Sequence, residues 1–157
     1  MKRENRKMYA FWILLTEALG LLSGFVSRTG MVRYEALAQK PPLTPPGWVF
    51  GIVWTVLYGL MGFSAGRIFA SPESRDRSRS LNLFIAQLVV NFFWSPIYFN
   101  TGAYGFALIW LVLLWVLVVL MIRQFDRVNR TAALLQIPYL LWLSFAAYLN
   151  WSVWLQN

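Results

Sequence analysis

Three sets of polar and aromatic residues fall at helical spacing inside apolar sequence. Gln87, Asn91, Trp94, Ser95 and Tyr98 follow at i, i+4, i+7/8 and i+11, which places them on one helix face. Tyr139, Trp142, Ala146 and Asn150 do the same, as do Gly47, Gly51, Trp54 and Tyr58. Each stripe mixes aromatic rings, small residues and amides or hydroxyls. Two kinds of chemistry suit that mixture. One is an apolar pocket between helices, with a few polar groups to orient a ligand. The other is adhesion, with amides and tyrosines bonding from helix to helix in lipid. Spacing favours neither.

Other reactive groups are scarce. The chain has no cysteine and no histidine, which excludes disulfides, thiol nucleophiles, the usual zinc sites and a His-ligated haem. Of six acidic residues, only Glu17 lies well inside an apolar segment. A carboxyl there suits a proton-coupled binding site, or a structural pair with another polar group of the bundle. Metal-assisted or conventional acid–base catalysis has little to work with.

The run Lys40-Pro-Pro-Leu-Thr-Pro-Pro-Gly-Trp48 supplies a rigid approach to a helix, since proline fixes φ and suits a first turn. It opens directly onto Trp48, Trp54 and Tyr58. A stiff aromatic mouth of this kind suits a flat, apolar ligand.

The elements that must carry these residues are helices in a membrane. The chain is 59% hydrophobic and 13% charged, against about 25% charged in soluble domains. Five apolar segments, near Met8–Ser27, Gly47–Phe69, Leu81–Phe99, Ala103–Arg123 and Thr131–Trp154, are each about 20 residues long. They are too continuous for barrel strands. The expected fold is one all-α integral membrane domain over residues 1–157, a bundle of five transmembrane helices. No secretory signal is expected, because the first apolar run is too long. The short Asn100–Gly102 turn makes the third and fourth helices antiparallel neighbours. Arg28–Pro46 reads as a long structured loop and Ser71–Ser80 as a polar, mobile one. No internal repeat stands out, which weighs against an inverted-repeat transporter.

The net charge of +8 reflects basic connections and not a nucleic-acid surface. Lys2, Arg3, Arg6, Lys7, Arg67, Arg75, Arg77, Arg79, Arg123, Arg127 and Arg130 fall on one side of a five-helix protein, and Arg28, Arg33 and Lys40 on the other. The positive-inside rule then places the N-terminus in the cytoplasm, and the C-terminus and proline loop outside. Pro96 and Pro138 predict bends inside helices three and five, freeing the carbonyls of Phe92 and Leu134. Gly20/Gly24 and Gly62/Gly66 fit the small-xxx-small pattern of close helix contact, within one chain or between two. The fourth segment has no polar face and is assigned mostly to lipid. Trp12, Trp151 and Trp154 read as interfacial anchors.

From about Tyr34 to the end, the chain resembles the translocator protein family, the tryptophan-rich sensory proteins (TspO/MBR, peripheral benzodiazepine receptor). The resemblance rests on Tyr34-Glu-Ala-Leu, Lys40-Pro…Thr-Pro-Pro-Gly-Trp-Val-Phe-Gly-Ile-Val-Trp54…Leu-Tyr58, Gln87…Asn91-Phe-Phe-Trp-Ser-Pro-Ile-Tyr-Phe99 and Pro138-Tyr-Leu-Leu-Trp142-Leu-Ser-Phe-Ala-Ala-Tyr-Leu-Asn-Trp151. It implies a five-helix bundle, often a homodimer, with a pocket closed by the first loop, residues 28–46. It implies binding of protoporphyrin IX or another flat hydrophobic ligand, with no obligatory cofactor. Light- and oxygen-dependent porphyrin breakdown is implied for Trp54 and Trp142. Gln87, Asn91 and Trp94 match polar pocket positions of the family, and Ala146 and Leu149 match positions lining its ligand site. With the stripes, the candidate ligand residues are Trp48, Gly51, Trp54, Tyr58, Gln87, Asn91, Trp94, Tyr139, Trp142, Ala146, Leu149 and Asn150.

The chain also departs from the family. Leu43 replaces a loop tryptophan, and Arg33-Tyr34 stands where the family has Trp-Tyr. Trp151 replaces the tyrosine of a proposed cholesterol motif, with no basic residue after it, so specific cholesterol recognition is not expected. Three functions remain in view: porphyrin binding with photochemical turnover, proton-coupled export through Glu17, and signalling to a partner.

Overall fold

The computed structural model describes residues 3–157. Lys2, counted above among the basic residues, lies outside them. Helix α1 spans Arg3–Leu37, α2 Gly47–Phe69, α3 Arg75–Ser95, α4 Tyr104–Asp126, α5 Arg130–Leu134 and α6 Ile137–Gln156, with a π-helical turn at Pro96–Asn100. Among the described residues, five stretches are long and apolar enough to cross a membrane: Asn5–Leu37, Gly47–Phe69, Arg75–Asn100, Tyr104–Asp126 and Arg130–Gln156. Each covers one apolar segment of the sequence, the fourth beginning one residue later, at Tyr104. The protein is an all-α integral membrane bundle.

Local chemistry sets several ends. Pro46 precedes the first residue of α2. The Ser74 hydroxyl accepts from Arg77 N at 3.1 Å and caps α3. Asn129 Oδ1 accepts from Ala132 N at 2.9 Å and caps α5. At Pro96 the missing N–H frees the Phe92 carbonyl, and Ser23 Oγ of α1 donates to it at 2.7 Å. The chain then continues as the π-helical turn.

Three elements differ from expectation. Ser71–Ser80, read as a mobile loop, is helical from Arg75 onward, because Ser74 caps a helix that starts six residues before the apolar stretch at Leu81. The first helix does not end at Ser27 but runs ten residues further, to Leu37. Nothing between Arg28 and Leu37 breaks a helix except Gly30, and Gly30 is buried where a Cβ would strike the Phe99 carbonyl of the π-helical turn. The fifth segment is two helices, because the backbone breaks at Leu135–Gln136 and Pro138 falls in the first turn of α6. Proline is well tolerated there. Gln136 fastens the break, its Nε2 donating to Ser64 Oγ of α2 at 2.8 Å.

Around the bundle α1 packs on α2 and on the π-helical turn, α3 on α4, and α4 on α6. The α1–α2 contact is made by glycines. A Cβ on Gly62 would strike the Ile13 backbone, and one on Gly66 would lie 2.6 Å from the Tyr9 ring. These small residues therefore serve contact within the chain, whereas Gly24 faces open space. Helix α4 exposes Phe106, Ile109, Val112, Val116 and Leu120, as expected of a helix that faces mostly lipid, but it also buries one stripe. Ala107, Leu111, Leu114, Val118, Met121 and Phe125 form a fully buried face. Because lipid and core are both apolar, sequence patterning could not separate its two sides. Trp12 is no anchor. It is buried against Phe69 and Phe84 in the core, while Trp151 and Trp154 are about half exposed.

The ends of the bundle are chemically distinct. At the basic end Arg67 Nε donates to Asn129 Oδ1 at 3.2 Å, and Gln124 Nε2 donates to Asp76 Oδ1 at 3.0 Å. The other, loop end gathers Tyr34, Tyr98, Phe99 and Tyr104 around the π-helical turn.

Candidate functional site

The three stripes converge. Tyr58 Oη donates to Asn91 Oδ1 at 2.6 Å, Asn91 Nδ2 to Tyr139 Oη at 2.7 Å, and Tyr139 Oη to Gln87 Oε1 at 2.8 Å. All four side chains are buried, so one polar chain ties α2, α3 and α6 together. Adhesion is thus realised at these residues. Buried amides and phenols must find partners, and here they find each other. Thr16 Oγ1 adds a bond from α1 to the Tyr58 carbonyl at 2.7 Å.

Aromatic rings cover one side of this chain. Trp54 stacks on Tyr58, with centroids 5.4 Å apart, and meets Trp142 edge-on at 6.5 Å and Tyr139 at 6.3 Å. Phe50 meets Trp142 at 5.5 Å, and Phe145 follows it at 5.6 Å. Neither phenylalanine was among the sequence candidates. Both stand one helical turn from a candidate tryptophan, and that spacing was the available signal. The backbones of α2 and α6 do not run closely side by side. The rings bridge the space between them, making an aromatic seam.

The remaining candidates sit elsewhere. Trp94 stacks on Tyr98 at 4.9 Å and donates to Asn150 Oδ1 at 3.3 Å, while Asn150 Nδ2 donates to the Tyr104 carbonyl at 2.8 Å. That makes a second knot, between α3, α4 and α6 at the loop end. Ala146 and Leu149 are buried on α6 between the two knots. Trp48 and Gly51 are exposed on the first turns of α2, Trp48 at 70%. A cavity of about 210 Å³ at the loop end is lined by Arg33, Tyr34, Phe99 and Tyr104, away from the seam.

The expected lid over residues 28–46 is shorter, because its first ten residues are helix. The true connection is Ala38–Pro46. Thr44 N and Oγ1 both bond the Pro41 carbonyl, at 3.1 and 2.8 Å, and fold it into a turn. The loop is fastened to the end of α6: Gln39 N donates to Asn157 Oδ1 and Asn157 Nδ2 to the Gln39 carbonyl, each at 3.0 Å. It therefore crosses from α2 toward α6 at the loop end. Leu43, in place of the family tryptophan, is two-thirds exposed.

Four buried polar atoms have no hydrogen-bond partner among the described residues: Gln87 Nε2, Trp142 Nε1, Gln136 Oε1 and Glu17 Oε1. Trp142 belongs to the aromatic seam, and Gln87 is tied to it through Tyr139, whose ring meets Trp54. Glu17 lies in the α1–α2 groove, its Oε1 3.7 Å from where a Cβ on Gly59 would stand. Sequence reasoning overlooked Gln136, a lone amide beside Pro138.

Residues 12–155 match the TspO/MBR family. The chain is 36% identical to the tryptophan-rich protein TspO of Chlorobaculum tepidum, covering 76% of this chain and 77% of that one. It is 34% identical to the translocator protein of Bos taurus, covering 92% and 86%, and 35% identical to that of Homo sapiens, covering 94% and 89%. A match of this extent, together with five helices and a tryptophan-bearing seam, makes the chain a member of the TspO/MBR family.

Proposed function

We propose that the protein binds protoporphyrin IX or a similar flat hydrophobic ligand in the seam between α2 and α6. The observation that carries this reading is the pair of unpartnered buried donors, Gln87 Nε2 and Trp142 Nε1, beside four aromatic rings. A buried donor without an acceptor costs roughly 1–3 kcal/mol. A ligand carboxylate or carbonyl removes that cost, while the macrocycle stacks on Trp54 and Trp142. The side chains of Phe50, Trp54 and Trp142 turn aside to admit the ring, and the Ala38–Pro46 loop covers it. The absence of histidine favours a metal-free porphyrin. Family membership supports the same ligand class.

Titration of protoporphyrin IX against tryptophan fluorescence tests the site. Trp54→Ala with Trp142→Ala should abolish saturable binding, and unchanged affinity sinks the proposal. Light-dependent turnover is the further step. Oxygen oxidises the excited porphyrin held against Trp54 and Trp142, so ligand and oxygen supply the hard chemistry and the protein positions the ring. Bleaching equal to that in detergent alone would exclude it.

A second reading is proton-coupled export, favoured by the unpartnered Glu17 Oε1 inside a membrane span. Loss of efflux in Glu17→Gln, with binding intact, is its signature. The charge asymmetry of the two ends supports an N-terminus in the cytoplasm under either reading.

A further inference from the structure

Basic residues are few at the loop end, and two of them share one exposed face of α1. Arg28 and Arg33 line a shallow groove of about 510 Å³ with Thr29, Val32 and Ala36. Each guanidinium is held in place. Arg28 Nη1 donates to the Phe25 carbonyl at 2.8 Å and the group lies over the Phe25 ring at 3.9 Å. Arg33 Nη2 donates to the Asn100 carbonyl at 2.6 Å and to the Phe99 carbonyl at 3.4 Å. Their remaining N–H groups have no acceptor among the described residues. The nearby acid, Glu35, is engaged by Lys40. The groove therefore offers fixed, uncompensated positive charge.

Its depth is set by the helix. Lys7 and Arg28 are 21 positions apart on α1, about 32 Å, close to the roughly 30 Å of a hydrocarbon core. Arg28 thus stands at the core boundary. Arg33 stands five residues beyond it, about 8 Å deeper into the headgroup layer. On the core side of Arg28 the same helix exposes Leu21, Leu22 and Phe25.

We propose that this groove holds one anionic phospholipid, its phosphate between Arg28 and Arg33 and its acyl chain along Leu21 and Phe25. The occupant follows from charge complementarity at headgroup depth above an apolar face. Planar guanidinium forks suit phosphate oxygens, and Thr29 supplies a hydroxyl. The site is separate from the α2–α6 seam and does not depend on porphyrin binding.

Native mass spectrometry of the full chain in detergent, titrated with phosphatidylglycerol or phosphatidylcholine, tests it. One phosphatidylglycerol should remain bound under activation that strips phosphatidylcholine. Near a membrane surface each arginine contributes about fivefold to anionic lipid binding, so Arg28→Gln with Arg33→Gln should weaken retention about 30-fold. Arg28→Gln alone, which leaves the Arg33–Asn100 bond intact, should weaken it about fivefold. Arg28→Lys should restore most of it, and Arg130→Gln at the basic end should change nothing. Equal retention of the two lipids, displacement by inorganic phosphate, or full retention in the double variant would each overturn the proposal.

Discussion

At the scale of residues, Tyr139 is the hinge of the polar chain, because its hydroxyl both accepts and donates. Tyr139→Phe leaves Asn91 Nδ2 and Gln87 Oε1 unpartnered, whereas Tyr58→Phe leaves only Asn91 Oδ1 without its donor. Unsatisfied buried groups cost roughly 1–3 kcal/mol each in soluble cores, but interhelical bonds in membranes average about 0.6 kcal/mol. The membrane figure is the better guide, since unfolded helices in lipid also find partners. Tyr139→Phe should therefore destabilise by about 1–2 kcal/mol and Tyr58→Phe by about half as much, measured by unfolding in detergent. Equal losses would show that the chain does not hold the helices as drawn. Trp142 poses a different question. Trp142→Phe keeps a ring and removes the unpartnered Nε1, so protoporphyrin affinity should fall about tenfold, by the 1–1.5 kcal/mol of one hydrogen bond. Trp54→Phe, which removes no buried unpartnered donor, should lose less. The sequence made both tryptophans visible through their spacing. It did not show that the amides and phenols bond one another, because spacing fixes a face and not a partner.

At the scale of elements, the α1–α2 contact depends on backbone approach. A Cβ at Gly62 would meet the Ile13 backbone N at 2.7 Å, where no side chain can swing aside. Gly62→Ala should push the two helices apart and destabilise by about 1–3 kcal/mol, as overpacking does. Gly24→Ala meets nothing and should be neutral or stabilising by about 0.5–1 kcal/mol, the helix-propensity gain over glycine. Detergent melting curves check the pair, and a harmless Gly62→Ala would refute the packing. Bilayer thickness made the five spans legible, since any crossing helix needs about 20 apolar residues. It also hid the rest. The stretch from Arg28 to Leu37 is helical but leaves the hydrocarbon, so an apolarity count stops at Ser27 and mistakes helix for loop. The break at Leu135–Gln136 lies inside continuous apolar sequence. Helix α4 turns one apolar face to core and another to lipid, a distinction that composition does not carry.

At the scale of the whole molecule, the bundle has a basic end and a loop end, and the positive-inside rule turns that chemical asymmetry into an orientation. The two basic connections meet at one end, where Arg67 bonds Asn129 and Asp76 pairs with Arg127. The loop end keeps Arg28, Arg33 and Lys40, and Lys40 is neutralised by Glu35. On the proposed orientation, a loop end poor in free positive charge crosses the membrane during insertion, while the basic connections are retained. The chain has no cysteine, so each introduced thiol is unique. Thr101→Cys lies in the exposed turn before α4, and Glu73→Cys in the exposed connection before α3. Neither substitution touches the seam. In intact cells a membrane-impermeant maleimide should label Thr101→Cys and spare Glu73→Cys, and permeabilisation should expose the second. If Glu73→Cys is the one labelled in intact cells, the orientation is reversed. The Ala38–Pro46 loop would then cap the seam from the cytoplasm, and the groove at Arg28 and Arg33 would meet lipids of the inner leaflet.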